Sequence, residues 1–114
     1  MVEDRFIHIM GRRILVKSVT RDQSADTYLG RANIDCGQIQ IMSSQHEDSA
    51  RDTLFHEVVH VCDMAIQAKE NRLSEQQTVA IASTLFSVLS DPRNKWLVDA
   101  VVSGVMPEGM SFEY

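Results

Sequence analysis

The residues His56-Glu57-Val58-Val59-His60 place two imidazoles four positions apart, with a carboxylate directly after the first. On a helix this spacing sets both rings on one face a turn apart, where both can reach a single Zn²⁺ at about 2.0–2.1 Å. Glu57 then stands beside the same site without having to ligate. It can accept a proton from a water activated there and hand it to a leaving amine. With 4 histidines and seven glutamates in 114 residues, chance placement yields this pattern about once per hundred such chains. The neighbours Leu54, Phe55, Val58, Val59 and Val61 are apolar, which predicts a helix with a dry setting around the motif rather than two solvated histidines.

A catalytic zinc takes three protein ligands and leaves a position open. No histidine follows His60, and the position six residues on is Ile66, so the third ligand is expected to be acidic. Asp63 shares the histidine face but lies about 10.5 Å along the axis from His56, at 1.5 Å per residue. It reads either as an acceptor that orients His60 or as a solvated acid. Glu75 is the better candidate. With Val79, Ala82, Phe86 and Leu89 it falls on one helical face, so it heads an apolar stripe that points inward, where a cation offsets the burial of a carboxylate. The alternative is an acid that merely complements the helix N-terminus. Ligation requires the motif helix to end near Met64 to Ile66, with the polar segment 67–72 looping back, because a helix running to Glu70 would end about 15 Å beyond His60.

The elements that must position these residues change character near Ser43. Before it, Phe6–Ile9 and Ile14–Val19 read as a hairpin around Gly11; residues 28–34 and 38–42 read as strands flanking the turn Asp35-Cys36-Gly37. The polar run Thr20–Ala25 reads as a loop. After Ser43, Ser44-Gln45-His46-Glu47 and Ser74-Glu75-Gln76-Gln77 are capping boxes that open two helices, the second stopped by Asp91-Pro92. A third helix is predicted over 94–102. The reading is an α+β fold: a small, mostly antiparallel N-terminal sheet of three or four strands, then about three helices. Residues 1–103 form one domain and 104–114 an irregular tail, whose Met106, Met110, Phe112 and Tyr114 suggest an interaction surface.

Composition narrows the function classes. A formal charge of −5 argues against a nucleic-acid-binding surface. No run approaches 18 apolar residues and no signal peptide is visible, so neither membrane insertion nor secretion is expected. Cys36 and Cys62 are too few for a disulfide scaffold and fit a reducing cytoplasm. His8 alternates with Ile7 and Ile9 as an exposed strand residue, and Cys62, roughly opposite His60, reads as a small core residue.

Leu54-Phe55-His56-Glu57-Val58-Val59-His60, Leu73-Ser74-Glu75, Leu85-Phe86-Ser87-Val88-Leu89 and Asp91-Pro92 together resemble short phage- and prophage-encoded H-E-x-x-H proteins, minimal relatives of the ImmA/IrrE-type zinc metallopeptidases. Where many short relatives carry a glutamate, this chain has Val79, with Glu75 one turn earlier on the same face. The resemblance implies a zincin-like domain holding one Zn²⁺ through His56, His60 and Glu75, with Glu57 as the base. It implies a protein or peptide substrate, with a regulatory protein among the candidates, cleaved in the host cytoplasm. It also implies substrate lying beside an exposed sheet edge, expected at Gln38–Met42, and an oxyanion donor for which Tyr28, His46 and Tyr114 are the candidates, although His46 reads first as a residue that caps or decorates the start of the motif helix. Two further readings stand beside the peptidase: a zincin-like binding module that engages a host or phage protein, and a phage assembly component that reuses the fold.

Overall fold

The computed structural model describes residues 5–20 and 29–110. Four strands, β1 (Arg5–Ile9), β2 (Arg12–Val19), β3 (Gly30–Asn33) and β4 (Gln38–Met42), precede three helices, α1 (Glu47–Ile66), α2 (Glu75–Ser90) and α3 (Lys95–Ser103). The architecture is α+β, as the change of period near Ser43 predicts. Single 3-10 turns at Lys69–Asn71 and Pro92–Asn94 join the helices. The chain forms two compact units, Met1–Ser83 and Thr84–Tyr114. The first holds the sheet, α1 and the start of α2; the second holds the rest of α2 and α3.

The β1–β2 turn carries positive φ at both central residues, Met10 and Gly11 (49° and 78°), the handedness a tight hairpin needs. Strand order is β1-β2-β4-β3, with β1–β2 and β3–β4 antiparallel and β2–β4 parallel. Two of the three pairings are thus antiparallel. Gln38–Met42 is therefore not an edge: β4 is hydrogen-bonded on both sides, and β3 is the free border beside α1. The expectation of a substrate alongside Gln38–Met42 is overturned. The Met42 N–H bonds the Leu29 carbonyl at 2.8 Å, which fixes the phase of the β3–β4 ladder. In that phase the N–H and C=O groups of Gly30 and Ala32 turn away from β4.

Ile9, Ile14, Ile39 and Val61 form the buried cluster of the first unit, so α1 is held onto the sheet by the side opposite its polar face. Cys62 packs against this cluster as a small core residue, and burial pushes its thiol pKa up. Neither cysteine is paired, and His8 is exposed. On α2 the buried residues are Thr78 and Ala82. Ala82 is the buried member of the predicted stripe; Val79 (46% exposed) and Leu89 (47%) stay open, and Thr78, outside the stripe, is buried. No described helix is long and apolar enough to cross a membrane.

Candidate metal centre

The motif lies in the third and fourth turns of α1. His46, not Ser44, caps that helix: its Nδ1 accepts the Asp48 N–H at 3.3 Å, and Glu47 is the first helical residue. The extended backbone at His46 brings its own side chain to the open N–H groups, leaving Ser44 outside. At the other end α1 stops at Ile66, and Gln67 is its extended cap, so the helix ends where a returning chain requires.

Asp63 makes that return. It is buried (5% exposed); one carboxylate oxygen accepts from Gln67 Nε2, and the other accepts the Leu73 N–H at 3.0 Å. Both predicted roles, orienting His60 and lying in solvent, are corrected by this geometry: the carboxylate ties the loop 67–73 to the end of α1. Ser74 then caps α2 reciprocally, with Gln77 N–H to Ser74 Oγ at 3.1 Å and Ser74 N–H to Gln77 Oε1 at 2.9 Å. The first residue after this cap is Glu75.

Glu75 thereby meets both histidines. Its Oε1 lies 2.8 Å from His56 Nε2 and its Oε2 3.0 Å from His60 Nε2. The imidazoles stand edge to face, centroids 4.7 Å apart. Ligand atoms of His56, Glu57 and His60 all lie within 4.8 Å of one another, so this group can hold a metal ion. The Glu75 side chain is two-thirds exposed (67%), unlike the buried carboxylate that an inward stripe implies. It closes the site from the solvent side, while Glu57 is buried at 6% beneath it. The group opens into a cleft of about 560 Å³ whose opposite wall is β3 (Gly30, Arg31, Ala32), with Met64 and Val79 as apolar lining.

Burial raises the Glu57 pKa above the ordinary glutamate range; the nearby His60 and His56 pull it down less, and Glu75 adds to the rise. Burial thus disfavours the charged form of Glu57 in the fold. The neutral form's contribution to stability is complete below the unfolded-chain value and is lost as pH rises through the folded value. With chelator present, wild-type stability is expected to fall across that interval more steeply than that of Glu57→Gln, read by urea unfolding at a series of pH values. Parallel slopes for the two proteins would refute the raised value.

Two residues that build the cleft carry no motif. Gln45 uses its whole amide: Nε2 donates to the Leu29 and Met42 carbonyls, both at 2.9 Å, and Oε1 accepts from Ser49 Oγ at 2.7 Å and Thr53 Oγ1 at 3.0 Å. It fixes the start of β3 against the first turns of α1. Gly30 permits the closest approach: a Cβ there would lie 2.5 Å from Thr53 Cγ2, 3.1 Å from the Gln40 carbonyl and 3.4 Å from Glu57 Cγ. Gly30→Ala is expected to cost about 1–3 kcal/mol by overpacking. Adding Thr53→Ser, which removes the clashing methyl and keeps the hydroxyl, should recover most of that loss in urea melts. No recovery would mean that the strain lies elsewhere. In the sequence, Gln45 is a polar residue before a helix and Gly30 a glycine in a strand; the latter is the one available signal of close backbone approach.

Of the predicted site residues, His56, Glu57, His60 and Glu75 are brought together. Asp63 serves the loop and His46 the helix cap, and Tyr28 and Tyr114 lie outside the described residues. Compared with known proteins, the chain matches no family model, no curated protein and no solved structure, so the functional reading rests on the geometry of the site.

Proposed function

We propose that this protein is a zinc-dependent metallopeptidase that hydrolyses peptide bonds in a protein substrate. The observation that carries the reading is the convergence of His56 Nε2, His60 Nε2 and the Glu75 carboxylate beside the buried Glu57, at the floor of an open cleft. Two ligands at zinc–ligand distances of about 2.0–2.1 Å and a tetrahedral angle lie about 3.4 Å apart. The observed 2.8 and 3.0 Å need only a few tenths of an ångström of opening. Two imidazoles and one carboxylate form a donor set of the catalytic zinc type.

Zinc held there would polarise a scissile carbonyl and lower the pKa of water towards 7. Glu57, next to the ligands but buried and not needed as one, accepts the proton of the attacking water and delivers it to the departing amine. Its raised pKa suits both halves of that task. The free N–H and C=O groups of Gly30 and Ala32 orient an extended peptide as an added strand along β3, and Gly30 keeps that strand close to Glu57. Met64 and Val79 exclude water from the flank of the site.

The test is direct. Purified protein dialysed against zinc is expected to retain one ion per chain, and a mixed peptide library incubated with it should yield cleavage products by mass spectrometry. Chelation should abolish those products and zinc restore them. One zinc retained with no product from any library would favour the binding-module reading instead.

A further inference from the structure

The cleft around the metal group has a direction and two unlike ends. All of its lining belongs to the first compact unit. On α1 the lining residues Asp52, His56, His60 and Met64 follow one another at four-residue intervals and form a single ridge. At 1.5 Å per residue that ridge is about 18 Å long, the span of about five residues of extended peptide at 3.3 Å each. The level midway between the two histidines lies about 9 Å from either end. At one end stands Asp52, which is exposed; among the described residues nothing pairs with its carboxylate, and the adjacent Arg51 is engaged by Asp48. Arg31 also borders the cleft, but its side chain belongs to the other face of the sheet. The Cβ position of Gly30 faces Thr53 on α1, so the next residue points away, and Arg31 Nε donates to Gln40 Oε1 at 2.9 Å there. Outside the metal group, Asp52 is therefore the one charged side chain turned to the cleft among its described lining. The other end is apolar, with Met64 from α1 and Val79 from α2.

We infer that the cleft selects peptides that carry a lysine or arginine on the Asp52 side of the metal group and an apolar side chain on the Met64 side. Each is set two or three residues from the bond held at the histidines, because about 9 Å is two to three steps of a strand. An unpaired carboxylate in a cleft with protein walls attracts a cation and repels an acid more strongly than the same group on an open surface. The apolar end selects a class and not one residue, since the flexible thioether of Met64 adapts to side chains of different shape. Only the position of the cut rests on the peptidase reading. The charge preference is a property of the cleft and holds equally for a peptide that is bound and never cleaved.

Binding and cutting are read separately. A fluorescein-labelled octapeptide of alanine and leucine with one central lysine, and the same peptide with glutamate in its place, are titrated by anisotropy into Glu57→Gln protein in zinc buffer. Both are also incubated with the wild-type chain and zinc, and products are read by mass spectrometry. The lysine peptide is expected to bind about tenfold more tightly at low salt, with the gap closing at high salt. Asp52→Asn, added to Glu57→Gln, should bring the ratio near one, and Asp52→Lys should invert it, with zinc content unchanged in both. Glu70→Lys, an equal change of net charge at an exposed position outside the cleft, should leave the preference for lysine in place. Any cut should fall two or three residues from the lysine and always on the same side of it. Equal affinity for the two peptides, no binding of either, or a lysine preference that survives Asp52→Lys overturns the inference, whether or not products form. A lysine preference that Asp52→Lys inverts, with no product from the wild-type chain, upholds the inference and removes the peptidase reading.

Discussion

Glu57→Gln is expected to keep its metal and lose its turnover. Glutamine matches glutamate in shape, so the buried packing of residue 57 survives. The amide cannot accept a proton at neutral pH, and a positioned general base contributes about 100- to 10,000-fold. Product formation from a cleaved peptide should fall by at least that factor, while zinc content by atomic absorption stays at one per chain. The buried site makes the substitution benign for folding: a neutral amide there avoids the desolvation that raises the Glu57 pKa. Turnover within a fewfold of wild type would remove Glu57 from the role of base. Loss of zinc together with turnover would instead make it a ligand, the alternative its placement within 4.8 Å of the histidine donors makes concrete.

His60→Ala has the complementary signature: metal is expected to be lost and the fold retained. His60 is only partly buried, and its described polar partner is Glu75, at 3.0 Å. The core residue of that turn is Val61, about 100° further round α1. Removing the imidazole leaves one histidine and one carboxylate. Zinc affinity should drop by more than the roughly 10- to 100-fold that loss of an outer hydrogen-bond partner costs. Competition with a chromophoric chelator measures this, and circular dichroism should show an unchanged helical signal. Affinity within tenfold of wild type would rule out a site built on His60. Glu75→Gln should fall between: the amide oxygen still coordinates, but without the charge that favours a cation.

What local chemistry controls was legible in the sequence. The motif spacing, the end of α1 near Ile66, the reciprocal cap at Ser74 and Gln77, and the arrival of Glu75 at both histidines all follow from contacts within twenty residues. What depends on order in space was not. Residues 38–42 alternate as any half-buried strand does, and nothing in that alternation says whether a strand is an edge or is flanked on both sides. On α2 the apolar spacing points to Ala82, which is buried, but not to Thr78, because a threonine gives no apolar signal and its hydroxyl is satisfied within the helix by the Ser74 carbonyl at 3.1 Å. Asp63 looked available because the backbone it binds, at Leu73, is ten residues away. Gln45 was invisible as a positioning residue for the same reason: its carbonyl partner at Leu29 lies sixteen residues earlier.

The parallel β2–β4 pairing has a consequence for the order of assembly. Each hairpin can close on its own, but joining them brings Val19 beside Met42, a loop closure of more than twenty residues. The ligand set spans only His56 to Glu75, on one helix and the start of the next. Convergence of the two histidines on Glu75 and the pairing of β3 with β4 are thus both local events, and attachment of the β1–β2 hairpin is the long-range and slower one. A chain recovering from denaturant is therefore expected to bring the His56–His60–Glu75 group together before Ile9 and Ile14 arrive to complete the core beneath it.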